Sequence, residues 1–278
     1  MSEESAVETP KEPILRQADL DAWYLLQRTA LAHAQSRRHA QSVERARAAI
    51  QRALAVARPE RCCAMWSGGK DSTVLTHLLR GAGVPVASEK DDLDYPGERE
   101  YVERLACEWG LDMTVLVPPV SPRAWLAEHA GELSAEGDMH SRAAGLSREC
   151  FYRVVEEHSA RYELTFLGLR SDESAGRAMN RATRGVLYRR RDGRWICNPL
   201  SDWSGLDVFA YAAAHGIELL PVYRCIAMLH QDEPWRVRKS WWLPGTDARW
   251  GGVAWLRWYW PSLYRQLESW MPDASRLT

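Results

Sequence analysis

The chain has 278 residues, 46% of them hydrophobic and 26% charged, and a formal net charge of −1. Those values fit a soluble globular protein with one large domain or one domain and an appendage. They exclude bulk electrostatic attraction to nucleic acid or membrane, and no long apolar run offers a membrane span.

Residues 1–13 are polar, carry Pro10 and Pro13, and are expected to form a disordered leader without an apolar signal core. From 14 to 58 the chain is rich in Ala, Arg and Gln, with neither Gly nor Pro, which predicts an N-terminal helical arm. Leu20, Trp23, Leu26 and Leu31 approximate one face, and Val43, Ile50 and Leu54 a thinner one. Such an arm packs on the main body or on a second copy of the chain.

Between 59 and 225 strands alternate with helices. "CCAMW" (62–66), "VPVAS" (84–88), "DMTVLV" (112–117) and "ELTFLG" (163–168) read as short strands. Helices are expected over 72–80, 98–109, 147–161 and 205–215, several of them stopped by glycine. "VLYRRRDGRWIC" (186–197) reads as a hairpin turning at Asp192-Gly193. This order predicts a doubly wound, mostly parallel, five-stranded α/β sheet of Rossmann type. From 226 to 278 the chain becomes tryptophan-rich: eight of its 14 tryptophans lie from Trp235 onward. A C-terminal helical subdomain is expected there, with Trp255, Leu256, Tyr259, Leu263 and Leu267 on one face, broken at Pro261.

The six cysteines (62, 63, 107, 150, 197 and 225) include no Cys-x-x-Cys pair, so a reduced, cytoplasmic chain is expected. The tail from 234 to 270 lacks cysteine and histidine, which argues against a metal there. No metal-ligand set stands out elsewhere.

In "AMWSGGKDSTVL" a strand ends, two glycines turn the chain, and a helix begins. Free N–H groups at the helix start, the helix dipole, the Ser67 and Ser72 hydroxyls and the Lys70 ammonium together suit a phosphate. It is not a Walker loop, because Asp71 follows Lys70 and the glycine spacing is wrong. A ligand-free βα turn is the plain alternative. The stretch resembles the pyrophosphate loop, Ser-Gly-Gly-x-Asp-Ser, of the adenine-nucleotide α-hydrolase-like superfamily, with Ser67, Gly68, Gly69, Lys70, Asp71 and Ser72 matching in order.

"LGLRSDESAGR" (167–177) places Gly168 at a strand end and two guanidinium forks, Arg170 and Arg177, around Glu173 and Ser174. It looks like the Gly-x-Arg-x-x-Glu-Ser-x-x-Arg element of the phosphoadenosine-phosphosulfate reductase and sulfate adenylyltransferase small-subunit family. Pro199, Leu200, Trp203, Asp207, Val208 and Pro221 are similar in register to that family's Pro-Leu-x-x-Trp-x-x-x-Asp-Val segment. "DDLDYPGEREYV" (91–102) matches its second loop more loosely.

The resemblance implies an enzyme acting at the α-phosphate of ATP or of an adenylyl-sulfate-type nucleotide, with Mg²⁺ and release of pyrophosphate. Ser67 to Ser72, Gly168, Arg170, Glu173 and Ser174 would bind the nucleotide. Lys70 would neutralise the departing pyrophosphate, Asp71 would place the metal or cap the helix, and Arg170 and Arg177 would hold an oxyanion acceptor. Asp91, Asp92 and Asp94 would lie across the adenosine or its metal.

The family's C-terminal Glu-Cys-Gly-Leu-His nucleophile is missing, and no iron–sulfur cysteine set is recognisable, so no such cluster is expected. A sulfonucleotide reductase reading therefore needs Cys225 or a partner's thiol. Eight arginines (170, 177, 181, 184, 189, 190, 191 and 194) fall within 25 residues, of which two or three are expected to bind phosphate or sulfate beside the loop and the others to face solvent. A nucleic-acid backbone is the weaker alternative, and would suit a nucleotide-sensing or nucleic-acid-modification subunit.

Overall fold

The computed structural model describes residues 12–130, 151–227, 233–237, 239 and 252–277. The stretch expected as a leader falls almost wholly outside them, as do Trp241 to Gly245 and the first part of the helix expected over 147–161.

The sheet is built from β1 (Cys62–Met65), β2 (Val86–Glu89), β3 (Met113–Leu116), β4 (Leu164–Phe166), β5 (Leu187–Arg189) and β6 (Trp195–Cys197), in the spatial order β3-β2-β1-β4-β6-β5. All pairings are parallel except β5 with β6. Cys62, Cys63 and Ala64 are buried to 0% exposure, as a central strand covered on both faces requires. The sheet has six strands, one more than expected. The hairpin forms as anticipated, with Gly193 at φ 90°, but its second strand also pairs with β4, extending the sheet by two.

Helices α1 (Gln17–Ala34) and α2 (Arg37–Val56) form the arm. Ser36 caps α2, its hydroxyl accepting from the His39 N–H at 3.1 Å. Then come α3 (Lys70–Leu78), α4 (Glu98–Glu108), α5 (Pro122–Glu128), α6 (Arg153–Ser159), α7 (Ala175–Arg184), α8 (Gly205–Ala214), α9 (Gly252–Tyr259) and α10 (Pro261–Trp270). Helices α5 and α7 lie outside the expected elements. Ala175, Ala178, Met179 and Ala182 share one face of α7, but its residues are exposed or half-buried throughout, so that stripe enters no core.

The arm is docked on the body. Trp23 meets Phe209 of α8 edge-on at 6.1 Å, and Trp203 Nε1 donates to the Ser42 carbonyl at 3.1 Å. The buried face of α1 is Asp19, Leu26 and Ala30, whereas Leu20 and Leu31 are 45% and 46% exposed. The apolar count misplaces this face because a carboxylate sits on it. Asp19 accepts from the Tyr259 hydroxyl at 2.6 Å, and the Arg16 guanidinium donates to the same phenol oxygen at 2.6 Å. That network joins arm to tail. In the tail Trp255 and Trp260 are buried to 1% exposure, and Pro261 opens α10 at its first position, where a missing N–H costs nothing. Among the described residues no helix is long and apolar enough to cross a membrane.

Candidate functional site

Strands β1, β2 and β3 grow in one direction, after which β4 returns to the other side of β1. The carboxyl ends of β1 and β4 therefore flank a topological switch point, the crevice where open α/β sheets take ligands. The loops leaving those two strands carry the first and second motifs.

After β1, Ser67 to Gly69 turn the chain into α3. Gly68 has φ 76°, a left-handed conformation, and a Cβ on it would meet Glu98 Oε1 at 3.0 Å. The turn is pinned by Ser72, whose hydroxyl lies 3.1 Å from Ser67 Oγ and donates to the Gly69 carbonyl at 3.0 Å. Trp66 secures the strand end, its Nε1 donating to Thr73 Oγ1 at 2.9 Å.

The second motif leans on this turn. A Cβ at Gly168 would lie 2.9 Å from both Cα and N of Ser72, so only glycine allows β4's exit to touch the first turn of α3. Arg170 is 2% exposed and faces three carboxylates: Asp71 at 2.5 Å, Asp172 at 2.7 Å and Glu173 at 3.6 Å. Its guanidinium is thus engaged in holding the loop, in place of the open oxyanion fork that the motif suggests. Glu173 also pairs with Arg177, and Ser174 caps α7, accepting from the Arg177 N–H at 3.2 Å. Burial raises the affinity of Asp71 for a proton, but Arg170 and Lys70 outweigh it and hold the carboxyl at about 2.

The third motif arrives through a residue that sequence reasoning passed over. Tyr223 is buried, and its oxygen accepts from the Lys70 backbone N–H at 3.0 Å. Two tail contacts were equally hidden. Lys70 Nζ donates to the Val237 carbonyl at 2.8 Å and to Asp71 at 3.0 Å. Lys239 Nζ donates to the Ser67 carbonyl at 2.7 Å. The tail segment passes so close to α8 that a Cβ at Gly205 would sit 2.4 Å from the Trp235 carbonyl oxygen. The only available signal was the pair of lysine-bearing or aromatic tail positions, which no local pattern links to the loop.

Beside the loop lies an acidic cluster. Lys90 Nζ pairs with Glu98 at 2.7 Å and Asp94 at 3.4 Å, and Lys239 pairs with both. Glu98 is buried. Burial would push its pKa up, but Lys239 and Lys90 hold it at about 2. Burial, then the neighbouring Asp91 charge, pushes Glu89 up to about 9, and burial with Glu98 pushes Asp94 up to about 7. Glu89 Oε1 and Glu98 Oε2 are buried without a hydrogen-bond partner among the described residues. Lys90 and Lys239 offset the charge of this cluster, and among the described residues its carboxylates do not bring three ligand atoms together as a metal site would. Asp92 is elsewhere: it is exposed and accepts from the Arg123 N–H at 3.0 Å beside α5.

The arginine run does not form one patch. β6 pairs with β4 so that Trp195 lies opposite Leu164, at the amino end of the sheet. Arg189, Arg190, Arg191 and Arg194 accordingly sit at the end opposite the loop, with Arg190 and Arg194 paired to Glu156. On α7, Arg181 grips Asp202 through two bonds of 2.8 Å. The reason is topological: the hairpin turn precedes β6, which runs parallel to β4, so the turn lies at the amino end of these strands while the loop lies at the carboxyl end.

Cys225 is buried to 0% exposure, and burial pushes its thiol well above the usual range. A thiolate nucleophile needs the reverse, so this residue does not fit the reductase role considered for it. Cys62, Cys63 and Cys197 are buried too, and Cys107 is exposed.

Fold and loop together define an α/β domain of the adenine-nucleotide α-hydrolase type. A model of the phosphoadenosine phosphosulfate reductase domain matches residues 61–225. Phosphoadenosine 5′-phosphosulfate reductase of Xanthomonas campestris pv. campestris (strain B100) is 28% identical over 188 residues, covering 64% of this chain and 73% of that protein. Sulfate adenylyltransferase subunit 2 of Methylobacterium sp. (strain 4-46) is 28% identical over 202 residues, 60% of each chain. The solved phosphoadenylyl-sulfate reductase of Candida auris overlays with a TM-score of 0.48 at 14% identity, covering 63% of this chain and 81% of that one. The chain belongs to the phosphoadenosine phosphosulfate reductase domain family.

Proposed function

We propose that the chain binds an adenine nucleotide at Ser67 to Ser72 and transfers its adenylyl group to an oxyanion acceptor, releasing pyrophosphate. The observation that carries this reading is the convergence of Lys70, Asp71 and Arg170 with the glycine turn at the switch point. The turn's N–H groups and the Lys70 ammonium hold the β- and γ-phosphates. The acceptor oxygen attacks the α-phosphorus, the bond from that phosphorus to the bridging oxygen breaks, and pyrophosphate carries away the electron pair. Lys70 meets the charge that develops on the leaving group. Asp71, anchored by Arg170, orients the Lys70 ammonium; Arg177, paired with Glu173 and 38% exposed on its side chain, would hold the acceptor. Gly168 and Ser174 shape the wall that Glu173 completes.

The test is pyrophosphate release from ATP and Mg²⁺, with sulfate and other oxyanions as acceptors. Release that depends on an acceptor and disappears in Lys70→Ala supports the reading; release that is unchanged in that variant overturns it. Reduction of a sulfonucleotide is the second reading, and the buried Cys225 leaves it dependent on a partner's thiol.

The nucleic-acid reading draws on one observation. A cavity of about 440 Å³ at the amino end of the sheet is lined by Arg61, Arg161, Arg189 and Arg194 together with Tyr162, Trp195 and Glu163, which pairs with Arg61. Cationic and aromatic groups in one hollow suit a nucleotide chain, and its mark would be RNA or DNA binding that weakens steeply with salt. Exposed Leu20, Tyr24, Leu25 and Leu31 on α1 support self-association through the arm.

A further inference from the structure

Away from the loop, two histidines of the arm close on one carboxylate of the body. His33, in the last turn of α1, places Nε2 at 2.9 Å from Asp207 Oδ1. His39, in the first turn of α2, places Nδ1 at 3.2 Å from the same oxygen. The three ligand atoms lie within 4.8 Å of one another.

We propose that His33, His39 and Asp207 form a binding site for a first-row divalent transition-metal ion of the Zn²⁺ class, locking the arm to the nucleotide-binding domain. The separations of 2.9 and 3.2 Å approach the edge of a tetrahedron, about 3.3 Å for ligands about 2.0–2.1 Å from the ion. Two imidazoles and one carboxylate are borderline donors that favour Zn²⁺, Co²⁺ or Ni²⁺ over Mg²⁺ or Ca²⁺.

The surroundings orient each ligand. Asp207 Oδ2 accepts from the Ser204 N–H at 2.8 Å and from its hydroxyl at 2.7 Å. That fixes the carboxylate and aims Oδ1 at the histidines. The His39 ring packs edge-on against Trp203 at 5.9 Å. Side-chain exposure is 5% for His39 and 2% for Asp207 but 16% for His33. The solvent side is therefore the His33 rim, where a water would complete four-coordination. α1 and α2 contribute one ligand each and α8 the third, so an ion here ties the two arm helices to a helix of the body. The site shares no residue with the nucleotide loop, and the proposal stands whether or not adenylyl transfer is the reaction.

The experiment uses the full chain, stripped with a chelator and dialysed, in excess Mg²⁺ to occupy carboxylate sites. Zn²⁺ is titrated calorimetrically and Co²⁺ by its visible ligand-field absorption, which reports imidazole and carboxylate coordination directly. One ion per chain is expected, with a melting temperature raised by about 5–10 °C at a hundredfold excess over Kd. His33→Gln, at the rim of the site, weakens binding at least about tenfold, and His33→Gln/His39→Gln abolishes the Co²⁺ spectrum. The absence of a one-equivalent site, or affinity unchanged in His33→Gln with its circular dichroism intact, overturns the proposal and leaves the three residues as a hydrogen-bonded cluster.

Discussion

Replacing Gly168 with alanine adds one methyl group where two motifs touch. The Cβ would stand 2.9 Å from Cα and N of Ser72 and 3.0 Å from the Asp71 carbonyl carbon. Real Cβ atoms do not approach so closely, and the obstructing atoms are helix backbone, which cannot swing aside as a side chain can. The φ of Gly168 is not positive, so alanine meets no backbone strain and the penalty is purely steric. Overpacking of this kind costs about 1–3 kcal/mol. For a chain of this size that is about 2–10 °C in melting temperature. Relief comes by pushing the first turn of α3 away from β4, which displaces Ser72 and the N–H groups of the loop. ATP affinity is expected to fall at least about tenfold, a loss of about 1.4 kcal/mol. Gly176→Ala is the control: nothing lies within 4 Å of its Cβ position, and alanine in α7 is favoured by up to about 1 kcal/mol. Differential scanning calorimetry and ATP titration read both effects. A Gly168→Ala protein that melts within about 1 °C of wild type and binds ATP equally well would refute the packing argument.

Arg170→Met leaves Asp71, Asp172 and Glu173 facing one another without their shared cation. Urea unfolding should show a loss of about 3–5 kcal/mol, and a loss under about 1 kcal/mol would mean that the ion pairs are dispensable. Glu89 holds its proton to about 9 in the folded chain against an ordinary 4.5. The folded state thus binds the extra proton, and this group's contribution is complete below 4.5 and lost as pH rises through 9, with a slope of at most about 1.4 kcal/mol per pH unit. The urea midpoint of wild type should drop between neutral and alkaline pH, and Glu89→Gln should flatten that drop; parallel curves would contradict the assignment. Gly205→Ala drives a methyl into the Trp235 carbonyl and lifts the tail from Lys70. Amide exchange in 233–237 should accelerate in this variant, and unchanged protection would show that the tail does not rest on that glycine.

The parts of this molecule legible in its sequence are those governed by near neighbours in the chain. The glycine turn before α3, the Asp192-Gly193 hairpin and the alternation of strands with helices all follow from local rules. The parts that were not legible depend on contacts across the chain. Asp19 reads as a surface residue until Tyr259, 240 positions away, gives it a partner. Arg170 matches a ligand-binding motif, yet its burial among carboxylates follows from where Asp71 and Asp172 fall in space. The arginine run is continuous in sequence and split by the sheet. Tyr223 and Lys239 reach the loop from segments with no periodic link to it, and His33 and His39 face Asp207 only because the arm folds back over α8.

The central claim is that the Ser67 to Ser72 loop grips an adenine nucleotide through Lys70. Its most direct test is calorimetric titration of ATP, in Mg²⁺, into wild-type and Lys70→Ala protein of matched circular dichroism. The expected result is saturable one-to-one binding to wild type and at least about tenfold weaker binding to the variant, a difference of about 1.4 kcal/mol or more. Equal affinity in the two proteins would contradict it.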